Sequence, residues 1–245
     1  MLRITDARTG ESLEAAPVRR GLTRIEAHAP GDDTASLRVL LVTDLLMRAL
    51  ELGGTPVWAL LAGRSGQAEL RASAAALGIR PLEDSHDVGA GLGEAQVIHV
   101  VAEGGGAPDG VRLAVGPVTP ADGLPADWLR ADADPAAVRL ALLSEPRTGP
   151  ARLDPDTLAA ARGTLTRWRR AVADWARHPS RPIPEDVRGD LRTAWEDDLD
   201  MPAVLDVLRR VEAAGPDLPE GARFETYAYA DRLLGLDLVR DLGAA

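Results

Sequence analysis

Residues 23–61, TRIEAHAPGDDTASLRVLLVTDLLMRALELGGTPVWALL, hold the pattern that decides the fold. Thr23-Arg24-Ile25-Glu26-Ala27 alternates polar and apolar residues, the two-residue period of a strand with one buried face. His28 to Asp33 is a polar loop rich in Gly, Pro and Asp. From about Ala35 to Leu52 the apolar positions Leu37, Leu41, Leu45, Ala49 and Leu52 recur every three or four residues, which predicts a helix with one face on the core. Gly53-Gly54 ends it, because glycine accepts the left-handed backbone found past helix termini. Pro56 to Leu61 then reads as a compact apolar strand.

The alternation continues outward. Gln67 to Leu77 predicts a second helix stopped by Gly78, while Gln96 to Val101 and Val111 to Val115 predict further strands. Strand, helix, strand, helix, strand argues for a doubly wound parallel sheet. Ligands of such sheets sit beyond the carboxyl ends of the strands, which points to the loops at 28–33, 62–66 and 102–106. Gly104-Gly105-Gly106 precedes a strand and not a helix, so it reads as a turn and not as a phosphate cradle.

The texture changes near residues 120–133, and from there the chain reads as helix. Asp134 is placed to cap Pro135 to Leu143, with Pro in the first turn. Leu158, Ala161, Leu165, Trp168, Val172 and Trp175 form a core-facing seam, on which the two tryptophans read as core. Further helices are expected at about 185–199, 202–213 and 223–238, joined by short loops into a bundle.

Composition removes several chemistries. The 245 residues contain no Cys and, on direct reading, no Lys and no Asn, so all 28 basic residues are Arg. Without Cys there is no disulfide, thiolate nucleophile or cysteine-ligated zinc. Without Lys there is no Schiff base and no phosphate-binding lysine, since Arg stays protonated. A net charge of −10 opposes broad nucleic-acid binding. Locally, however, Arg162, Arg167, Arg169, Arg170, Arg177 and Arg181 face a single acid, Asp174. Of these, Arg162, Arg169, Arg170 and Arg177 are the candidate RNA-facing residues, with a solvated helix face as the competing reading. No apolar run reaches the roughly 18 residues of a membrane span, and the first residues lack a signal-peptide core. A cytoplasmic protein with no membrane partner, monomeric or weakly dimeric, is the expectation.

Several strings resemble the cysteinyl-tRNA synthetase family of class I synthetases. Residues 2–11, LRITDARTGE, look like that family's opening, and residues 42–53, VTDLLMRALELG, like its V-x-D-x-L-x-R-x-L-x-x-x-G helix. Residues 134–144, DPAAVRLALLS, are similar to D-P-E-A-L-R-x-x-L-L-S, and residues 147–158 resemble the stretch that starts the family's bundle, without its Tyr. Residues 194–208, AWEDDLDMPAVLDVL, are close to M-x-D-D-L-N-T-P-x-A-L-x-V-L. The resemblance implies an α/β fold: a shortened class I synthetase-like Rossmann-type parallel sheet in residues 1–132, followed by an α-helical bundle in residues 133–245.

The departures bear on function. The family forms an aminoacyl adenylate from ATP with an H-I-G-H sequence and a K-M-S-K-S loop, whose donors stabilise charge in the transition state. Here Asp33-Thr34-Ala35-Ser36 occupies the H-I-G-H position, and a chain without lysine has no K-M-S-K-S. The family's zinc uses Cys and His ligands; His28 stands where its first cysteine would be and His99 lies in the stretch expected to hold H-H-E. Two histidines fall short of that ligand set, so no metal is expected. The resemblance therefore implies a repurposed binding or accessory paralogue that does not charge tRNA and keeps a remnant nucleotide or aminoacyl pocket. An alternative is an amino-acid ligase or aminoacyl transferase of specialised metabolism; another is a tRNA-binding accessory. ATP with Mg²⁺, an aminoacyl ligand, tRNA and a protein are the candidate partners. His28, Gly31, Asp33, Ser36, Gly116 and Thr119 are the candidate ligand contacts. Asp33 and Ser36 are the catalytic candidates, with Arg64 beside them and Asp33 as a base or Mg²⁺ ligand. Asp32 flanks the pocket, His86 and His178 read as surface, and Asp197-Asp198 reads as solvated or capping.

Overall fold

A computed structural model describes residues 1–17, 21–31, 33–63, 68–85, 94–120 and 134–243. Arg64, Asp32, His86 and the expected domain boundary near residue 132 lie outside the described residues.

A short hairpin, β1 (Arg3–Thr5) and β2 (Ser12–Glu14), opens the chain. β3 (Leu22–His28), α1 (Thr34–Leu52), β4 (Val57–Ala62), α2 (Ala68–Ala76), β5 (Glu83–Asp84), β6 (Glu94–Ala102) and β7 (Val111–Val115) follow. β3 to β7 form one five-stranded sheet in the order β5-β4-β3-β6-β7, with every pairing parallel. This is the expected α/β, Rossmann-like arrangement. The chain winds outward from β3 through β4 to β5, then returns to β6 on the other side of β3. The order therefore reverses between β3 and β6, the crevice where open α/β sheets bind ligands.

The pleat sorts β3 onto two faces. Ile25 and Ala27 are fully buried in the main core with Ile98, Val100, Leu113 and Val115, and α1 lies across this face. Leu60 and Val101 project from the opposite face; they are also buried but stand outside that core cluster. The opposite face carries the polar members Arg24, Glu26 and His28.

α1 departs from the one-sided helix that its leucine spacing predicts. Val39, Leu40, Leu46, Met47 and Leu50 are buried along with Leu37, Leu41, Leu45 and Ala49, because α1 has the sheet on one side and α7 (Glu220–Leu234) on the other. Each fully buried Leu contributes roughly 1.5–3 kcal/mol. Burial on both sides makes α1 the central beam of the fold.

Beyond the sheet, β8 (Val118–Pro120) pairs with β9 (Ala151–Leu153), and α3 (Pro135–Leu143) lies between them in sequence. Asp134 caps α3 by accepting from Ala136 N, as the Asp-Pro start predicts. α4 (Pro155–Trp175), α5 (Glu185–Glu196), α6 (Met201–Ala213) and α7 pack together. Trp168 and Trp175 are core residues, both edge-on to Tyr227.

Three polar devices join these parts. Asp44 of α1 receives Arg48, Arg80 and Arg139. Arg38, 1% exposed, donates to the carbonyls of Gly116, Pro117, Pro146 and Gly149. Asp198 accepts from the N–H and hydroxyl of Thr5 and from Arg147. Asp198 is thus a clasp between distant segments and not a solvated residue, and its φ of +55° belongs to the tight turn after α5.

Candidate functional site

At the β3–β6 crevice the register puts Glu26 opposite His99, and His99 opposite Arg112 of β7. His28 is one pleat beyond Glu26 on the same face. The result is a polar ladder across three strands on the face away from α1. His28 Nε2 lies 2.9 Å from His99 Nδ1, and Glu26 Oε2 lies 3.2 Å from His99 Nδ1 and 3.8 Å from His28 Nε2. His99 is 2% exposed, whereas Glu26 and His28 are 13% and 19% exposed, so the cluster opens on the His28 side.

Both imidazoles are held below their ordinary pKa. For His28 burial is the main cause, reinforced by the charges of His99 and Arg112 and opposed by Glu26. For His99 burial again leads; Glu26 and a hydrogen bond to the Asp109 backbone oppose it, while Arg24 and Arg112 add to it. Both rings are therefore neutral at pH 7. His99 turns Nδ1 to His28 and Glu26, and its Nε2 edge lies against Gly110.

Gly110 allows that ring position. Its φ is +150°, and a Cβ placed there would sit 2.9 Å from His99 Cδ2 and 3.0 Å from Nε2.

The α1 N-terminus forms the other part of the site. Asp33 caps the helix, its Oδ1 accepting from Ser36 N at 2.7 Å. Ser36 Oγ in turn accepts from Gly31 N at 3.2 Å. A Cβ on Gly31 would meet Asp33 Oδ2 at 2.9 Å, so the loop folds closely over the carboxylate. Gly31, Asp33 and Ser36 thus form one self-capped turn that follows His28. Gly116 is buried and tied to α1 through Arg38. Thr119 is exposed and pairs with Arg152 across the β8–β9 ladder.

The arginine stripe separates into two kinds of residue. Arg162, Arg170 and Arg177 are exposed on or just past α4, and no ion pair with another described residue holds them. Arg169 departs from the surface reading: it is 3% exposed, paired with Asp134, and donates to the carbonyls of Leu236 and Asp237. Arg169 lies seven residues from Arg162 and so on the same side of α4, but there Asp134 and the turn after α7 cover it. His178 is exposed, as expected, and pairs with Glu220 at 2.6 Å.

Sequence reasoning missed Glu26. Its alternation with Arg24 and His28 was legible as a strand pattern, but the register that sets it against His99 was not. Among the described residues, Glu26, His28 and His99 are a group of metal-ligating side chains whose donor atoms converge. No described helix is long and apolar enough to cross a membrane.

No family model matches the chain. It is 39% identical over 113 residues to the L-cysteine:1D-myo-inositol 2-amino-2-deoxy-alpha-D-glucopyranoside ligase of Streptosporangium roseum, a match covering 45% of this chain and 27% of that protein. Proteins of the same name from Streptomyces griseus and Geodermatophilus obscurus are 38% and 36% identical over 112 and 110 residues, 44% and 43% of this chain and 26% and 25% of theirs. The matched stretch spans about a quarter of the length of these relatives.

Proposed function

We propose that the chain belongs functionally with the amino-acid ligases and aminoacyl transferases, on a cysteinyl-tRNA synthetase-like framework, and joins a cysteine-type aminoacyl group to an amine. The observation that carries this reading is the identity to proteins named as ligases of L-cysteine and an amino-glucosyl inositol. A polar crevice at the β3–β6 reversal supports it, because that is where this sheet type holds ligands.

The residues at the α1 N-terminus favour the transfer half of such chemistry over the activation half. A free helix N-terminus attracts phosphate, but here its donors meet the Asp33 carboxylate. A carboxylate there disfavours phosphate and favours an ammonium group, and the chain has no lysine to offset pyrophosphate charge. In the proposed half-reaction the acceptor amine nitrogen attacks the acyl carbonyl carbon of an activated aminoacyl donor. The carbon–oxygen bond to the leaving group breaks, AMP departs if the donor is an adenylate, and the amine proton passes to solvent. Asp33 Oδ2 holds the amine before it deprotonates.

The test is to follow amide formation from preformed cysteinyl adenylate and glucosamine, with an enzyme-free control, beside cysteine-dependent ATP–pyrophosphate exchange. Amide formation above the control without exchange is the expected result. Exchange would keep the ligase class and overturn the role given to Asp33. Neither activity would overturn the enzymatic reading in favour of an accessory binding protein, which the self-capped α1 N-terminus also accommodates.

A further inference from the structure

We propose that Glu26, His28 and His99 form a three-ligand site for a divalent cation of the zinc class, with one coordination position left open on the His28 side. The inference rests on the geometry of the polar sheet face and stands without the ligase reading.

Three donor atoms converge: Glu26 Oε2, His28 Nε2 and His99 Nδ1, separated by 2.9, 3.2 and 3.8 Å. Bonds of about 2.0–2.1 Å to tetrahedral zinc place ligand atoms about 3.3 Å apart, and the three observed edges straddle that value. The Nε2 edge of the His99 ring lies against Gly110, which leaves Nδ1 toward the other two donors. Without a cation, His99 Nδ1 faces the His28 nitrogen at 2.9 Å and the Glu26 carboxylate oxygen at 3.2 Å. A cation satisfies all three acceptors at once.

The surroundings orient the ligands. Arg24 approaches Glu26 through Oε1 at 3.4 Å, leaving Oε2 to face the histidines. The Arg112 guanidinium donates to the Ala107 carbonyl. Its positive charge, with that of Arg24, weakens cation binding relative to an all-anionic cage and favours an ion that binds imidazole strongly over Mg²⁺ or Ca²⁺. Two imidazoles and one carboxylate are a ligand set used by catalytic zinc sites that keep an open position.

His28 and His99 stand in the stretches where the resemblance places ligands of the family's zinc, but the ligand set is a different one. The thiolates of that site have no counterpart in a chain without cysteine, and Glu26 belongs to none of the matched strings. Two strands of one sheet supply the ligands.

The experiment is a Zn²⁺ titration of chelator-stripped full chain against a chromophoric competitor, with bound metal counted by mass spectrometry and Co²⁺ substitution read by its visible ligand-field bands. One equivalent is expected, with bands of a four- or five-coordinate ion. His28→Gln and Glu26→Gln should each weaken binding on the order of 100-fold while the circular dichroism spectrum is kept; two variants guard against either failing to fold. His178→Gln, which alters the other histidine–carboxylate pair, should leave the stoichiometric site unchanged. The proposal is overturned if the wild-type chain takes up no stoichiometric zinc, or if folded His28→Gln and Glu26→Gln bind it as tightly as wild type.

Discussion

Arg139 donates through Nη2 to Asp44 Oδ2 at 2.8 Å, and neither side chain is exposed to solvent. The pair links α3 to α1, and Arg139 also donates to the carbonyls of Leu77 and Leu234, so one guanidinium joins the sheet's helices to the end of α7. Removing one partner of such a pair strands the other and costs about 3–5 kcal/mol. Asp44→Asn should fall at the upper end, since Arg48 and Arg139 lose their anion and Arg80 keeps only Glu51. Arg139→Met should cost less, because Asp44 keeps two partners. Urea denaturation of the two variants checks the order.

The same carboxylate gives a pH dependence of defined sign. Burial alone would raise the Asp44 pKa, but Arg139 and Arg48 override it and hold the folded value below the ordinary one. A depressed carboxylate stabilises the fold above its unfolded pKa of about 3.9, and that contribution is lost as pH falls through the folded value. The stability difference between wild type and Asp44→Asn should therefore be constant near neutrality and shrink below about pH 4. A gap that widens on acidification would contradict the assignment.

The Asp33 cap separates charge from capping. Asp33→Asn keeps an equally good N-cap and should change stability by only a few tenths of a kcal/mol, whereas Asp33→Ala should cost about 1 kcal/mol. If the negative charge is what disfavours phosphate at the α1 N-terminus, Asp33→Asn should bind AMP more tightly than wild type. Isothermal titration of both proteins with AMP measures it.

Gly110→Ala should be destabilising by about 1–3 kcal/mol, as expected for a side chain forced into both strain and overlap. The backbone there has φ +150° and the new methyl would meet the His99 ring. Thermal unfolding reads the loss, and the His99 imidazole resonances should shift because the ring must move.

The arginines of α4 should divide by burial. Arg169→Ala removes a buried pair with Asp134 and two carbonyl bonds, and should cost about 3 kcal/mol or more. Arg170→Ala and Arg177→Ala should change stability by less than about 0.5 kcal/mol. If the exposed stripe faces RNA, those two variants should reduce tRNA retention and flatten its salt dependence. Retention equal to wild type at low salt removes the RNA reading.

Much of the fold was legible because it is written in local patterns. The period of Thr23–Ala27, the Asp-Pro start of α3 and the glycines after α1 each specify local backbone, and β7 matches its expected range from Val111 to Val115. What sequence could not supply was which side of an element meets a distant partner. Arg169 and Arg170 are adjacent and chemically identical, yet one is buried and the other exposed, because α3 and the turn after α7 approach α4 from one side. The site shows the same limit. The turn from Gly31 to Ser36 was legible as a loop entering a helix, but Asp33 as the cap of that helix was not read from it. The juxtaposition of His28 with His99 depends on a parallel register across 71 residues of chain, which no local pattern encodes.

The clasp at Asp198 also bears on how the chain comes off the ribosome. Its carboxylate holds Thr5, a residue 193 positions earlier, and its backbone N–H donates to the Arg3 carbonyl. At synthesis rates of about 5–20 residues per second, the first strand waits on the order of 10–40 s before its partner exists. During that interval the β1–β2 hairpin can rest on β7 alone, where the Ala7 N–H donates to the Arg112 carbonyl and Asp6 accepts from the Arg112 N–H. The second side of its seat closes only when the turn after α5 emerges.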